Sequence, residues 1–290
     1  MKSQSSQLAT RGMQAALRVR QQVGADLHSP ICVYDACDKV GVQVRFAEIN
    51  SMEGMYYRGT PAKIVIGARR PLARRNFTCG HELGHHVFGH GSTVDELQEA
   101  TSSTAWQPDE FLVNAFSAAL LMPHVGLKRA FAVRGTTPDK ATPRQLFEIS
   151  CNFGVGYDTL VNHLAYGTQL IGPERAKEMG RSSPKEIRKL ILGRDVQEAL
   201  VVVDEHWTAP TVDIEVETLA LAPKHTIVEG ASLRHCGSLE IGELFQAVNP
   251  GLGRLATKPN GHSRFVRVSR FQFVGLSKFR HLEEVPDDEH

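Results

Sequence analysis

The stretch Asn76–Gly91, NFTCGHELGHHVFGHG, constrains this chain most, because it places four histidines and one glutamate in a single turn-and-helix segment. His81 and His85 are four residues apart, and helical residues at this spacing lie on one face, about 5–6 Å from each other. Two imidazoles held in this way can bind one metal ion. Glu82 follows the first histidine, where its carboxylate can take a proton from water beside the metal. The segment therefore predicts a metal-binding helix that carries its own general base.

The alternative is a surface helix that carries the His-Glu-x-x-His pattern by chance. The flanking residues argue against it, because the same segment contains four apolar side chains, Phe77, Leu83, Val87 and Phe88. An apolar stripe of this kind packs a helix against a core. The histidines would then lie half buried, as catalysis requires.

A catalytic zinc site commonly has three protein ligands and one open position. His90 is one candidate for the third ligand, but it is one residue out of register with the pattern His-Glu-x-x-His-x-x-Gly-x-x-His. Glu110 is the other candidate. It lies in the next predicted helix, Pro108–Met122, and an antiparallel helix pair would bring it back to the histidines. The geometry favours Glu110.

Two neighbours of these residues are assigned to other roles. Asp109 points about 100° away from Glu110 on the same helix. His86 projects off the metal face, and we interpret it as an ordinary hydrogen-bonding histidine. An oxyanion donor is also needed, and Tyr56, Tyr57 and His124 are candidates by residue type alone.

The rest of the chain predicts an α+β protein. Helices over Leu8–Val23 and Ser29–Gly41 precede three short β-branched or aromatic runs, VQVRFAEI, GMYYRG and AKIVIG, which predict a small antiparallel sheet. The metal-binding helix follows from about Pro71. Beyond it, TPRQLFEISCNFGVGYDTLVNHLAY has the helix, glycine turn and helix of a helix-turn-helix.

These patterns divide the chain into four parts. We predict the metal-binding domain over residues 1–125, the helix-turn-helix-like segment over 126–170, a linker over 171–195 and a β-rich C-terminal domain over 196–290. The linker assignment rests on a polar run that contains Pro173, Gly180 and Pro184, and the same run is also compatible with an exposed helical hairpin. In the last part, the apolar phase of residues 211–222 shifts near Thr218, which predicts a β-bulge.

Charge and cysteine content exclude some functions. The net charge of +1 arises from 33 basic and 32 acidic residues, so no global field attracts nucleic acid. There is no run of about 18 apolar residues to span a membrane, and the polar N-terminus does not resemble a secretory signal. Five scattered cysteines do not form a disulfide framework. We therefore expect reduced thiols and a cytoplasmic protein.

Two linked stretches, RRNFTCGHELGHHVFGH and DEFLVNAFSAALLMP, resemble the ImmA/IrrE family of metallopeptidases. The hallmark of that family is R-x-F-T-x-x-HELGH, followed by E-x-x-A-N-x-F-A-x-x-LLMP. The resemblance extends over roughly Ser29–Tyr166. It implies a zincin-like fold with His81, His85 and Glu110 as metal ligands and Glu82 as the base.

The family also implies a function. Its members typically cleave a DNA-binding repressor of the helix-turn-helix (XRE) type, which relieves repression under stress or during mobile-element induction. We therefore expect a protein substrate and a metal-dependent endopeptidase. Zinc is the expected ion, although imidazole and oxygen ligands also admit manganese or iron.

The sequence departs from the family pattern at two places. Val113 stands where alanine is common, and Cys79-Gly80 replaces the usual aliphatic-alanine pair. Cys79 lies three residues before Glu82, so its thiol could bind metal or react with an oxidant. A small buried side chain at the start of the helix is the simpler interpretation.

The competing hypothesis is a DNA-binding regulator with a structural metal. The second helix of the helix-turn-helix-like segment carries Asp158 and has no lysine or arginine through Tyr166, which is unfavourable for phosphate contact. The stretch Ser263–Arg280 mixes arginines with aromatics, as single-strand binders do, but solvated strand faces have the same composition. We expect nucleic-acid binding to be weak or absent.

Overall fold

The chain forms two units, one of Met1–Leu127 with Gln272–Lys278 and the other of Lys128–Phe271 with Phe279–His290. The computed structural model describes residues 2–96, 106–209, 211–258 and 263–284. Its helices are α1 Lys2–Gln22, α2 Val33–Lys39, α3 Leu72–Phe88, α4 Pro108–Leu121, α5 His124–Val133, α6 Pro143–Phe153, α7 Tyr157–Asn162, a π-helical turn at His163–Gly167, α8 Pro173–Met179 and α9 Pro184–Leu192, with a 3₁₀ turn at Ser277–Phe279.

The strands are β1 Val42–Ala47, β2 Met52–Tyr57, β3 Ala62–Gly67, β4 Thr93–Glu96, β5 Leu200–Val202, β6 Thr211–Glu215, β7 Leu219–Ala222, β8 Thr226–Glu229, β9 Leu233–Leu239, β10 Gly242–Ala247, β11 Gly251–Thr257, β12 Ser263–Ser269 and β13 Gly275–Leu276. In the first unit, the described strands form one sheet in the order β13-β1-β3-β2-β4. The chain is therefore a mixed α+β protein.

The sheet of the first unit is mixed, and the predicted purely antiparallel sheet is wrong. The β2–β3 pair is antiparallel, but β1 and β3 pair in parallel, from Val42↔Ala62 to Ala47↔Gly67. This order requires the β1–β2 connection to cross the end of β3. Gly67 permits the crossing, because a β-carbon at this position would lie 2.8 Å from the carbonyl oxygen of Met52. A close approach made possible by one missing side chain does not show in the hydrophobic pattern.

Glycines also bring α3 and α4 together. A β-carbon at Gly80 would lie 2.5 Å from Ser117 Oγ, and one at Gly84 would lie 2.9 Å from Val113 Cβ. Ser117 Oγ donates to the carbonyl oxygen of Phe77 over 2.8 Å. The two helices therefore pack at short range along the turns that carry the histidines.

Helix α1 covers α4 and is held there by a buried arginine. Arg20 is fully buried and donates to the carbonyl oxygen of Leu120 over 2.6 Å and to those of Asp26 and Ser29. Burial lowers the pKa of Arg20 to about 10, so the guanidinium stays charged at neutral pH. One carbonyl group at the end of α4 and two in the connection between α1 and α2 thus depend on one side chain.

The second unit contains two four-stranded sheets, β5-β7-β10-β9 and β6-β12-β11-β8, among its described residues. Their inner faces share a core that includes Trp207, Phe245 and Val266. The bulge predicted near Thr218 is wrong, because β6 and β7 belong to different sheets. Glu217, with φ of 76°, makes the turn between them and donates its backbone N–H to the carbonyl oxygen of Ala247 over 2.8 Å. When the chain passes from one sheet to the other, the alternation of apolar residues shifts by one position, as it would at a bulge.

The segment 171–195, for which we predicted a linker or an exposed helical hairpin, forms helices α8 and α9. The residues that suggested a linker are helix starts: Pro173 opens α8, and Ser183 forms a capping box with Glu186 at the start of α9. Buried side chains include Met179 and Ile187. The polar run therefore marks helix ends in a packed segment.

The α6–α7 pair has the predicted helix, turn and helix. Thr142 and Gln145 form a capping box at the start of α6, and Gly154 ends that helix in the left-handed conformation.

The predicted domain boundary differs from the two units of the structure. Residues 272–278 belong to the first unit, whereas we assigned all of 196–290 to one domain.

Within the described residues, no single helix is long and apolar enough to cross a membrane. Of the described helices, only α4 and α5 taken together, with the bend between them, reach the required length and apolar content.

The contacts of Arg20 predict a large loss of stability when it is replaced. Arg20→Met keeps the apolar stem but leaves the carbonyl groups of Leu120, Asp26 and Ser29 without their charged donor, so we expect the free energy of unfolding to fall by about 3 kcal/mol. Arg18 is exposed on the same helix, and Arg18→Met should change the free energy of unfolding by less than about 0.5 kcal/mol. Urea unfolding followed by circular dichroism measures both, and equal effects would contradict the role of Arg20.

Candidate metal centre

His81, His85 and Glu110 converge at one point between α3 and α4, with their ligand atoms all within 4.8 Å of one another. The two Nε2 atoms are 3.2 Å apart. Glu110 approaches with one oxygen 3.2 Å from His81 Nε2 and the other 3.5 Å from His85 Nε2. Helix α3 provides the pair by its spacing, and the first turn of α4 provides the carboxylate.

These separations fit a tetrahedral metal ion. Zinc bonds to histidine nitrogen and carboxylate oxygen at about 2.0–2.1 Å, so two ligand atoms in a tetrahedron are about 3.3–3.4 Å apart. The two Nε2 atoms are 3.2 Å apart, and each has one of the two Glu110 oxygens 3.2 or 3.5 Å away, which is close to this value. The donor set of two imidazoles and one carboxylate leaves a fourth position for water or substrate. The cluster is therefore suited to a divalent metal ion.

The far nitrogen of His81 is held by α4. Its Nδ1 atom lies 3.0 Å from Asn114 Oδ1, and an amide oxygen only accepts hydrogen bonds. His81 therefore carries its proton on Nδ1, which leaves the Nε2 lone pair directed at the cluster. Asn114 lies four residues after Glu110, so one face of α4 supplies both a ligand and the group that orients a ligand.

His90, our other candidate for the third ligand, contacts the opposite side of His85. Its Nδ1 atom is 2.9 Å from His85 Nδ1, the nitrogen that faces away from the cluster. His90 Nε2 lies 3.8 Å from Asp109 Oδ1. His90 is thus placed behind a ligand rather than beside it.

Glu82 is fully buried and is held by two strands of the sheet. Its Oε2 atom accepts a hydrogen bond of 3.2 Å from the hydroxyl of Thr93, at the start of β4. Gly54 in β2 leaves space for the carboxylate, because a β-carbon there would lie 2.7 Å from Glu82 Oε1. The carboxylate therefore has a fixed orientation beside the first histidine.

His86 takes part in a different contact. Its Nδ1 atom lies 3.0 Å from the hydroxyl of Tyr56. Burial lowers the pKa of His86 and raises the pKa of Tyr56, so the neutral phenol donates and the neutral imidazole accepts. His86 is thus a hydrogen-bonding histidine, and the hydroxyl of Tyr56 is committed to it.

Cys79 is buried away from the three ligand atoms. Its sulfur lies 3.7 Å from that of Cys37 in α2. Burial, together with the contact to Cys37, raises the pKa of the Cys79 thiol. A raised pKa disfavours the thiolate that metals and oxidants require, so the environment is that of a small buried residue in the helix.

Sequence reasoning did not assign roles to Gly54 and Thr93, which pack around Glu82, or to Asn114, which contacts His81, and it considered His90 only as a ligand. Asn114 carried a usable signal, because its spacing from Glu110 places both on one helix face. Thr93 and Gly54 carried none, since their proximity to Glu82 arises from strand pairing across the sheet.

The comparisons with known proteins agree with this geometry. Residues 37–164 match the family model of peptidase M78, described as the IrrE N-terminal-like domain. A search of curated proteins finds no match. The matched range contains α3, α4 and the whole cluster, and it confirms the resemblance drawn from the two sequence motifs. Residues 37–164 are therefore similar to the IrrE N-terminal-like domain of peptidase M78, which supports a metallopeptidase of the ImmA/IrrE type.

Proposed function

We propose that the chain is a metal-dependent endopeptidase in which His81, His85 and Glu110 hold the ion and Glu82 is the general base. The observation that carries the proposal is the pair of histidine Nε2 atoms 3.2 Å apart, each with an oxygen of Glu110 3.2 or 3.5 Å away, next to a buried glutamate. The family match supports peptidase chemistry. The arrangement supports one active ion for each chain.

The proposed reaction is hydrolysis of a peptide bond. A bound divalent ion would supply Lewis acidity, which polarises the scissile carbonyl and makes water more acidic. Glu82 takes a proton from the attacking water and later delivers it to the leaving amine. Thr93 donates to one oxygen of Glu82, which orients the carboxylate for proton transfer. Burial of Glu82 keeps its carboxylate in this orientation without rearrangement.

We propose zinc as the ion, because two imidazoles, one carboxylate and an open position are typical of catalytic zinc. Manganese and iron accept the same donors and are alternative outcomes of metal analysis. Ligand chemistry therefore supports the class of ion, and the bound element is a matter for measurement.

For the substrate we propose a helix-turn-helix repressor of the XRE type, on the basis of the family. The α6–α7 pair offers little to DNA. Helix α7 buries Tyr157, Leu160 and Val161 and has Asp158 in its first turn, and Arg144 on α6 pairs with Glu148 over 2.8 Å. A role in protein docking fits this surface better than contact with phosphates does.

The arginines of the C-terminal strands also lie next to acids. Arg267 makes two hydrogen bonds of 2.7 Å to Asp213, and Arg254 lies 3.3 Å from Glu229. Carboxylates beside these side chains reduce the positive potential that nucleic acid would need. The C-terminal unit is accordingly proposed to bind protein or to sense a signal.

The first prediction concerns metal content. Wild-type protein should contain about one divalent ion per chain, whereas His85→Ala should lose most of it because one of three ligands is missing. His28→Ala, which replaces an exposed histidine of the same unit, is the control. Elemental analysis of the purified proteins measures this, and undiminished metal in His85→Ala would remove the site. Occupancy should also fall in mild acid, because the histidines must be neutral to coordinate.

The second prediction separates catalysis from binding. Glu82→Gln keeps the shape of the side chain but cannot accept a proton, so metal content should persist while cleavage falls by at least about 100-fold. Candidate repressors encoded near the gene are incubated with each protein, and the fragments are identified by mass spectrometry. Full cleavage by Glu82→Gln would mean that the base is another residue.

The third prediction concerns nucleic acid. Full-length protein should bind duplex DNA weakly and without sequence preference at physiological salt, because the helix that would enter the groove carries an acid and no base. Fluorescence anisotropy with a panel of duplexes measures this. Tight and selective binding of one duplex would favour a DNA-binding regulator with a structural metal.

A further inference from the structure

We propose that His90 is a positioning residue for the metal ligand His85: it holds the ring and fixes the proton on its far nitrogen, in a chain of contacts that ends at Asp109. The inference rests on the proposed metal site and adds to it a residue outside the set of three ligands. It concerns metal affinity, which can be measured without a substrate.

The contact between the two rings is short and sheltered. His85 Nδ1 and His90 Nδ1 are 2.9 Å apart, and the ring planes meet at 64°. The side chains are 2 % and 18 % exposed. Two imidazole nitrogens at this distance share one proton, so one ring donates and the other accepts.

Coordination determines which ring donates. A neutral imidazole that offers the lone pair of Nε2 to a metal carries its proton on Nδ1. His85 Nε2 faces the cluster, so His85 Nδ1–H donates to His90 Nδ1. His90 must then be the tautomer with its proton on Nε2, and this nitrogen lies 3.8 Å from Asp109 Oδ1. The carboxylate favours that tautomer by electrostatic attraction rather than by a short hydrogen bond.

The end of α3 explains how His90 reaches this position. Gly89 is left-handed, with φ of 71°, and donates its N–H to the carbonyl oxygen of His86 over 3.1 Å. His90 donates its N–H to the carbonyl oxygen of His85 over 3.0 Å. These are the two hydrogen bonds of a Schellman motif, which reverses the chain and returns His90 alongside the last helical turn. The backbone that ends the helix therefore also places the acceptor.

Asn114 and His90 have the same role for the two histidine ligands, because each accepts a hydrogen bond from the ligand's Nδ1–H. Asn114 accepts from His81, and His90 accepts from His85. An acceptor of this kind makes the ligand more basic, and its loss typically lowers metal affinity by about 10–100-fold. The imidazole acceptor differs from the amide in one respect, because it also transmits the influence of a carboxylate on α4.

The test compares zinc affinities of metal-stripped proteins by titration in competition with a chromogenic chelator. His90→Phe keeps a ring but has no acceptor, and we expect zinc affinity to fall by about 10–100-fold. His90→Asn should retain most of the affinity, because its Oδ1 can take the place of Nδ1. Asp109→Asn should have a smaller effect than His90→Phe, since Asp109 is 76 % exposed and 3.8 Å away. His28→Phe is the matched control and should be unchanged.

Two further readouts distinguish positioning from folding. The melting temperature in excess chelator reports the metal-free fold and should be the same in His90→Asn and wild type. The visible absorption spectrum of the Co²⁺-loaded protein reports ligand geometry and should change in His90→Phe. If His90→Phe does not fold, His90→Asn is compared with His90→Gln. The polar atoms of glutamine reach the position of Nε2 rather than that of Nδ1, so His90→Gln should bind zinc more weakly than His90→Asn.

The outcomes separate this inference from the proposed function. If wild-type protein binds no zinc, the proposed metal site itself fails. If wild type binds zinc and His90→Phe binds it equally tightly, or if His90→Asn and His90→Gln bind it equally, the positioning role of His90 is overturned. Graded loss, with Asn above Gln and Phe, supports it.

Discussion

The close packing of α4 on α3 is the contact on which the metal centre depends. Gly80 and Gly84 have no side chains where α4 passes, so Ser117 and Val113 lie against the backbone of α3. This approach brings the start of α4 to the histidines, and with it both a ligand and an orienting amide. A β-carbon at either glycine would lie within 3 Å of a side chain of α4, so the two helices would have to move apart. The geometry of the centre is therefore set by helix packing.

The local part of the site could be predicted from the sequence, because helical spacing alone places His81, Glu82 and His85. Glu110 needed only one further assumption, that consecutive helices pack antiparallel. The place of His90 could not be predicted by counting residues, since the left-handed turn at Gly89 changes the direction of the chain just before it. Spacing rules hold within a helix and fail at its end.

The remaining differences between sequence and structure have related causes. Pro173 was interpreted as part of a linker or an exposed helical hairpin, and its ring begins a helix, whereas nothing in the sequence pattern indicated the strand crossing that Gly67 permits. Likewise, Arg267 belongs to the stretch Ser263–Arg280, whose composition is that of single-strand binders, but it pairs with Asp213. Residue type indicates what a position can do, and the long-range partner decides what it does.

The return of the chain to the first unit bears on how the protein is made. Strand β13 pairs with β1 through Arg45↔Leu276 and Phe46↔Gly275, so the outer partner of β1 comes from a segment that follows β5–β12 in the chain. During translation, all three ligands leave the ribosome well before this strand does. The nascent sheet thus exposes the edge of β1 to chaperones or to other chains until β13 has been made. The first sheet can therefore be completed only after the strands of the second unit have been translated.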